Sequence, residues 1–138
     1  MSTGGRRQGR EAALQVLYSL DSADGLTPEA VELAYEKILA SFSLPVRARD
    51  FARELALGVT QNLKQIDERV VAASTHWKLH RLARVDRNVL RIAVYELLFE
   101  PETPAEVILD EAVAIARRYG GEESQAFVNG VLDLIARE

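Results

Sequence analysis

Few residues in this 138-residue chain have the spacing that chemistry needs. His76 and His80 stand four apart, which places two imidazoles on one helix face. A zinc site needs at least a third protein ligand, and the chain has no cysteine and no His-Glu-x-x-His arrangement. A linker position explains both histidines, so neither a metal nor a cofactor is expected. Gly4-Gly5 and Gly120-Gly121 lack the Lys-Ser/Thr and the preceding strand of a phosphate-cradling loop. No serine sits in a nucleophile elbow. The carboxylates alternate with arginines, the pattern of solvated helix faces. No catalytic residue is expected, and the chain reads as a non-enzyme.

The cations say more. Arg6, Arg7 and Arg10 lie in the first ten residues, which contain no acid. The remaining 128 residues hold 14 cations against 21 acids, so the net charge of −4 divides into a basic arm and an acidic body. Such asymmetry points to a nucleic-acid partner. All but Lys37, Lys64 and Lys78 among the 17 cations are arginine, whose planar fork suits phosphate and stacks on bases. A terminal arginine cluster also fits a solvated tail. If the first helix reaches back through the arm, Arg7, Arg10, Leu14 and Tyr18 form an off-core line at steps of three, four and four. Cations interleaved with an aromatic ring suit single-stranded RNA, with phosphate contacts for affinity and stacking for bases. Tyr18 equally suits the rim of a core. A second basic stripe, Arg84, Arg87 and Arg91, follows Lys78 and Arg81 with only Asp86 among them. It fits an anion-binding face, and fits better a set of cations paired with acids of neighbouring helices.

The elements that must position these groups read as helices throughout. Ala13, Val16, Leu17 and Leu20 recur at helical spacing in the first, and no segment alternates as a strand does. Residues 21–25 are a turn. Thr27-Pro28-Glu29 begins a second helix with a capping threonine and proline in its first turn. After Ser43-Leu44-Pro45, a long third helix is expected to about Ala73, striped by Phe51, Leu55, Val59, Leu63, Ile66 and Val70. Residues 74–80 are the least regular and form the expected boundary between two halves. A fourth main helix, with Val85, Val89, Ile92, Ala93 and Leu97, is apolar almost around its girth and so central. Thr103-Pro104-Ala105-Glu106 reads as a capping box that starts another helix, ended by Gly120-Gly121. The last helix runs from about Ser124 to Ala136. Gly58 and Gly130, inside helices, suggest close neighbours. The expected fold is all-α, with about six or seven helices in two small bundles packed into one domain. The basic arm covers 1–10 and the helical domain 11–138, with sub-bundles at about 11–73 and 79–138. A glycine-containing basic terminus is expected to be disordered before it binds.

Composition removes other classes. Hydrophobic residues at 48% and charged residues at 28% suit one globular domain. No apolar run approaches the ~20 residues of a membrane span, and the N-terminus has no apolar signal core. The expected compartment is the cytoplasm.

Four blocks, in order, carry a family resemblance: Arg10–Asp21, Asp86–Leu97 (Asp-Arg-Asn-Val-Leu-Arg-Ile-Ala-Val-Tyr-Glu-Leu), Pro104–Val113 and Ser124–Asp133. The Leu90–Leu97 run and Phe127-Val-Asn-Gly-Val-Leu132 are the most specific. Together they resemble the NusB family of bacterial transcription antitermination factors over nearly the whole chain; residues 22–50 and 74–82 match weakly. The resemblance implies two helical bundles, and binding to the boxA element of nascent ribosomal RNA leaders as a heterodimer with NusE, a small-subunit ribosomal protein. It also implies loading onto RNA polymerase with other Nus factors. Carried over by position, it implies RNA contacts at Arg6, Arg7, Arg10, Tyr119 and Phe127, and NusE contacts at Tyr18, Asp86 and Glu123. The arm here has no lysine, and Glu123 stands where aspartate is common. Phe127 also fits a core position. A homodimer hiding the RNA face is a further possibility. A NusB-like domain also forms the RNA-binding part of some ribosomal RNA cytosine methyltransferases; since 138 residues leave no room for a nucleotide-cofactor domain, that alternative requires this sequence to be a piece of a longer protein. A protein-only helical adaptor with a passive arm is the third reading.

Overall fold

A computed structural model describes residues 3–22, 25–74 and 78–137. Seven α-helices and two short 3-10 turns make up the described residues, with no strand among them. The chain divides into two compact units, Met1–Gln61 and Asn62–Glu138. The division falls before the irregular stretch at 74–80. None of the described helices is long and apolar enough to cross a membrane.

The first unit holds α1 (Thr3–Leu20), α2 (Pro28–Ile38) and α3 (Val46–Gln61). Each packs against the other two, and Leu14, Leu17, Val31, Leu39, Leu55 and Val59 fill the interior. The start of α2 follows from its sequence: Thr27 Oγ1 accepts from the Ala30 N–H at 3.0 Å, and Pro28 takes a position that needs no N–H. Arg53 of α3 donates twice to the Glu32 carboxylate of α2. At its other end α1 begins at Thr3, so the described part of the arm is helix rather than a disordered tail.

The second unit holds α4 (Leu63–Ala73), α5 (Arg84–Phe99), α6 (Ala105–Gly120) and α7 (Glu122–Arg137). The expected long third helix is two helices, broken at Asn62, whose φ of −124° and ψ of 26° leave the helical region. Asparagine accepts such a conformation readily, and the Asn62 carbonyl accepts the Ile66 N–H that starts α4. The expected capping box does not form. Pro104, at φ −59° and ψ 141°, is itself the N-cap of α6, and its carbonyl receives the Val107 and Ile108 N–H groups. Thr103 therefore lies one residue too early to cap.

Helix α5 packs on α4, α6 and α7 and is the centre of this unit. It is buried around most of its girth, yet not because it is apolar: Asp86, Asn88, Arg91 and Glu96 are all buried. Arg91 shows how. Its Nε and Nη2 donate to the two Asp67 oxygens of α4 at 2.8 and 3.1 Å, and Nη1 donates to Asn88 Oδ1 at 2.9 Å. Arg87 Nη1 donates to the Leu82 carbonyl at 3.0 Å. Two cations of the second basic stripe thus satisfy polar groups of their own unit. Removing one partner of a buried pair strands the other. Arg91→Ala is expected to lower the unfolding free energy by about 3 kcal/mol in a urea titration. A loss below ~1 kcal/mol would class the pair with weak surface bridges.

Candidate nucleic-acid interface

In the first unit the candidate cations are set by one close helix contact. A Cβ added to Gly9 of α1 would lie 2.8 Å from Phe51 Cδ2 and 3.1 Å from the Ala48 carbonyl oxygen. Only glycine lets α3 press its phenylalanine this near to α1. The same ring carries two guanidiniums: Arg6 lies 3.8 Å from the ring centroid and Arg10 lies 5.5 Å from it. Arg6 is exposed and Arg7 half-buried, whereas Arg10 is only 4% exposed. The expected off-core line along α1 is therefore interrupted. Arg10 and Leu14 are inside, because α1 buries the broad face of Ala12, Ala13, Leu14, Val16 and Leu17; Tyr18, 42% exposed, stands out at its far end.

In the second unit the candidates gather where α6 turns into α7. Tyr119 is in the last turn of α6, exposed, with the Arg118 guanidinium 5.5 Å from its ring. Gly121, at φ 92°, ends the helix in a conformation that side chains rarely adopt. Glu123 is exposed in the first turn of α7, and Phe127, one turn later on the same face, is half-buried. Between them Ser124 points inward and donates its hydroxyl to Asp86, in the first turn of α5. Asp86 is 8% exposed, and its buried Oδ1 has no hydrogen-bond partner among the described residues. Burial pushes its carboxyl above the ordinary aspartate range, by more than the Ser124 hydrogen bond lowers it.

The RNA candidates thus divide between the units, Arg6, Arg7 and Arg10 on one and Tyr119 and Phe127 on the other. The NusE candidates divide likewise, Tyr18 on one and Asp86 and Glu123 on the other. Two features escaped sequence reasoning. Phe51 read as one more apolar residue in a stripe, and nothing local ties it to Gly9. The Asp86–Ser124 contact also spans two helices. Of the two histidines, His80 is exposed on a 3-10 turn and His76 lies outside the described residues. No group of three possible metal ligands occurs among the described residues. Gly130 does not mark tight packing: it is exposed, and a Cβ there would meet nothing within 4 Å.

Two measurements follow from these environments. A carboxyl with a raised folded-state value holds its proton longer in the folded chain than in the unfolded one. Ionising Asp86 therefore costs stability, a cost absent at acid pH and fully present once the pH exceeds the folded value. Asp86→Asn is expected to raise the Tm at pH 7 and to lose that advantage below the carboxylate range; a lower Tm at pH 7 would contradict this. Gly130→Ala should stabilise the free protein by about 1 kcal/mol in denaturant titrations, because alanine is the better helix former and has room.

The comparisons with known proteins agree in one direction. The NusB family model matches residues 7–137. A transcription antitermination protein NusB of Sorangium cellulosum (strain So ce56) is 48% identical over 133 residues, covering 96% of this chain and 92% of the relative. Among solved structures, NusB of T. maritima is 41% identical with a TM-score of 0.79, over 96% of this chain and 91% of that one. A crystal structure of the antitermination factors NusB and NusE in complex with double-stranded RNA is 28% identical with a TM-score of 0.83, over 99% and 98%. With a family model spanning nearly every residue and relatives this similar over almost their full length, the chain belongs to the NusB family of transcription antitermination proteins.

Proposed function

We propose that this protein acts in antitermination by binding the boxA element of nascent ribosomal RNA leaders together with NusE, and that the pair then joins RNA polymerase with other Nus factors in the cytoplasm. The observation that carries the RNA part is Arg6, an exposed guanidinium laid 3.8 Å from the Phe51 ring centroid. A cation held over a ring face is engaged electrostatically and uses no N–H hydrogen bond, which leaves its donors for phosphate oxygens. Arg7 adds a second cation one residue on, while Arg10 serves from inside. Tyr119 and Phe127 offer ring faces for bases. A NusB–NusE complex with RNA among the solved structures most similar to this chain supports the choice of partners.

The acidic body suits the other partner. Outside the arm the chain carries seven more acids than cations, which attracts a basic ribosomal protein and repels RNA except at cationic positions. Asp86, Glu123 and Tyr18 are the residues assigned to NusE. A carboxylate kept buried with an oxygen unpaired is a cost in the free protein that a partner's donor would offset. A homodimer through either face would compete with these contacts. Membership of this family makes the protein a transcription factor and not an enzyme.

On single-stranded RNA each phosphate contact contributes ~0.7 to the slope of log K against log salt. With NusE present, Arg6→Ala combined with Arg7→Ala is expected to weaken boxA binding and flatten that slope by about 1.4 in a filter-binding titration. An unchanged slope would remove these arginines from the interface. Failure of the unaltered protein–NusE mixture to retain RNA would favour the protein-only adaptor.

A further inference from the structure

The first turns of α1 are a poor helix by composition. Three of the first seven residues, Gly4, Gly5 and Gly9, are glycine, each among the weakest helix formers. The first turn has no acidic residue, and Arg6 and Arg7 place positive charge near the positive end of the helix dipole. Short helices gain most of their stability from tertiary packing rather than propensity. Here the described packing converges on one side chain. Phe51, 7% exposed and projecting from the second turn of α3, meets Gly9 at a distance that no Cβ would tolerate and lies beside both Arg6 and Arg10. Residues 6, 9 and 10 share one helix face, so a single ring engages that face over more than a turn.

We infer that Phe51 is a positioning residue for RNA binding: it touches no nucleotide, but its ring docks on Gly9 and holds Arg6, with Arg10 beside it, in the helical arrangement that meets phosphate. This rests on the RNA-binding reading of the arm. The ring acts in two ways. It fixes the backbone of a segment that would otherwise fray, and it holds the exposed Arg6 guanidinium over its π face, a contact that uses none of the N–H donors. RNA affinity is reduced by whatever fraction of the free protein lacks this arrangement. Phe51 should therefore change affinity without changing the number of phosphates contacted. Arg10, buried beside the same ring, joins it as a support rather than a phosphate ligand.

Three variants test this with NusE present: Phe51→Leu keeps apolar bulk and loses the ring, Phe51→Tyr keeps the ring, and Gly9→Ala adds the Cβ that the contact excludes. Each is compared by boxA filter binding across a salt series, and by amide hydrogen exchange of residues 5–10 in the free full-length protein, well below its Tm. Phe51→Leu and Gly9→Ala should each weaken RNA binding roughly three- to tenfold at an unchanged salt slope. Both should speed exchange at residues 5–10, whereas Phe51→Tyr stays within about twofold of the unaltered protein. Gly9→Ala is the sharpest arm, because alanine improves helix propensity and would tighten binding if propensity alone mattered. Unchanged affinity for Phe51→Leu overturns the inference, as does Phe51→Tyr failing as badly as Phe51→Leu. If Arg6→Ala with Arg7→Ala leaves RNA binding intact, the RNA reading of the arm fails instead. Exchange at residues 5–10 then decides whether Phe51 holds the helix at all.

Discussion

An aromatic ring pressed against a glycine governs what the basic end of this chain can do. Gly9 leaves space for Phe51, and Phe51 in turn lies under Arg6 and beside Arg10. Without that contact, a glycine-rich and cation-rich segment has little reason to be helical, and its arginines would search conformations at an entropic cost before meeting phosphate. With it, Arg6 lies exposed over the ring while Arg10 is buried beside it. The three arginines thus differ in burial, although their sequence context is nearly the same.

The second unit solves a related problem with buried polar groups. Helix α5 is central, and a central helix of this composition must satisfy what it buries. Arg91 does so through Asp67 and Asn88, closing a network between α4 and α5. Asp86 does so only in part, through Ser124, and is left with a buried oxygen that has no hydrogen-bond partner among the described residues. The contrast separates a polar group that serves the fold from one that the fold carries at a cost. Ser124, which contacts this carboxylate, follows exposed Glu123 in the first turn of α7. At Gly130 the described neighbours leave room for a side chain.

Helical periodicity made the fold class legible, and the Thr27 cap and the α6 stop at Gly120-Gly121 could be read locally. The break at Asn62 could not, because the apolar stripe continues through Leu63, Ile66 and Val70 on both sides of it. At Thr103 the motif was present, but proline took the capping position. The candidate site was legible by residue type more than by environment. The arm cations, Tyr119 and Phe127 carry their chemistry in their identity. The burial of Arg10 involves Phe51, 41 residues away, and the partial relief of buried Asp86 comes from Ser124, 38 residues away. Pairings over such distances leave no trace in local spacing.

RNA is proposed to meet this protein at the docked arm of α1 and at the α6–α7 turn. Photo-crosslinking tests it most directly, using boxA RNA substituted with 4-thiouridine, the intact protein and NusE, and mass-spectrometric mapping of the crosslinked peptides. Crosslinks are expected in the peptides that carry Arg6–Arg7 and Tyr119–Phe127. Crosslinks confined to NusE, or to α2 and α4, would contradict it.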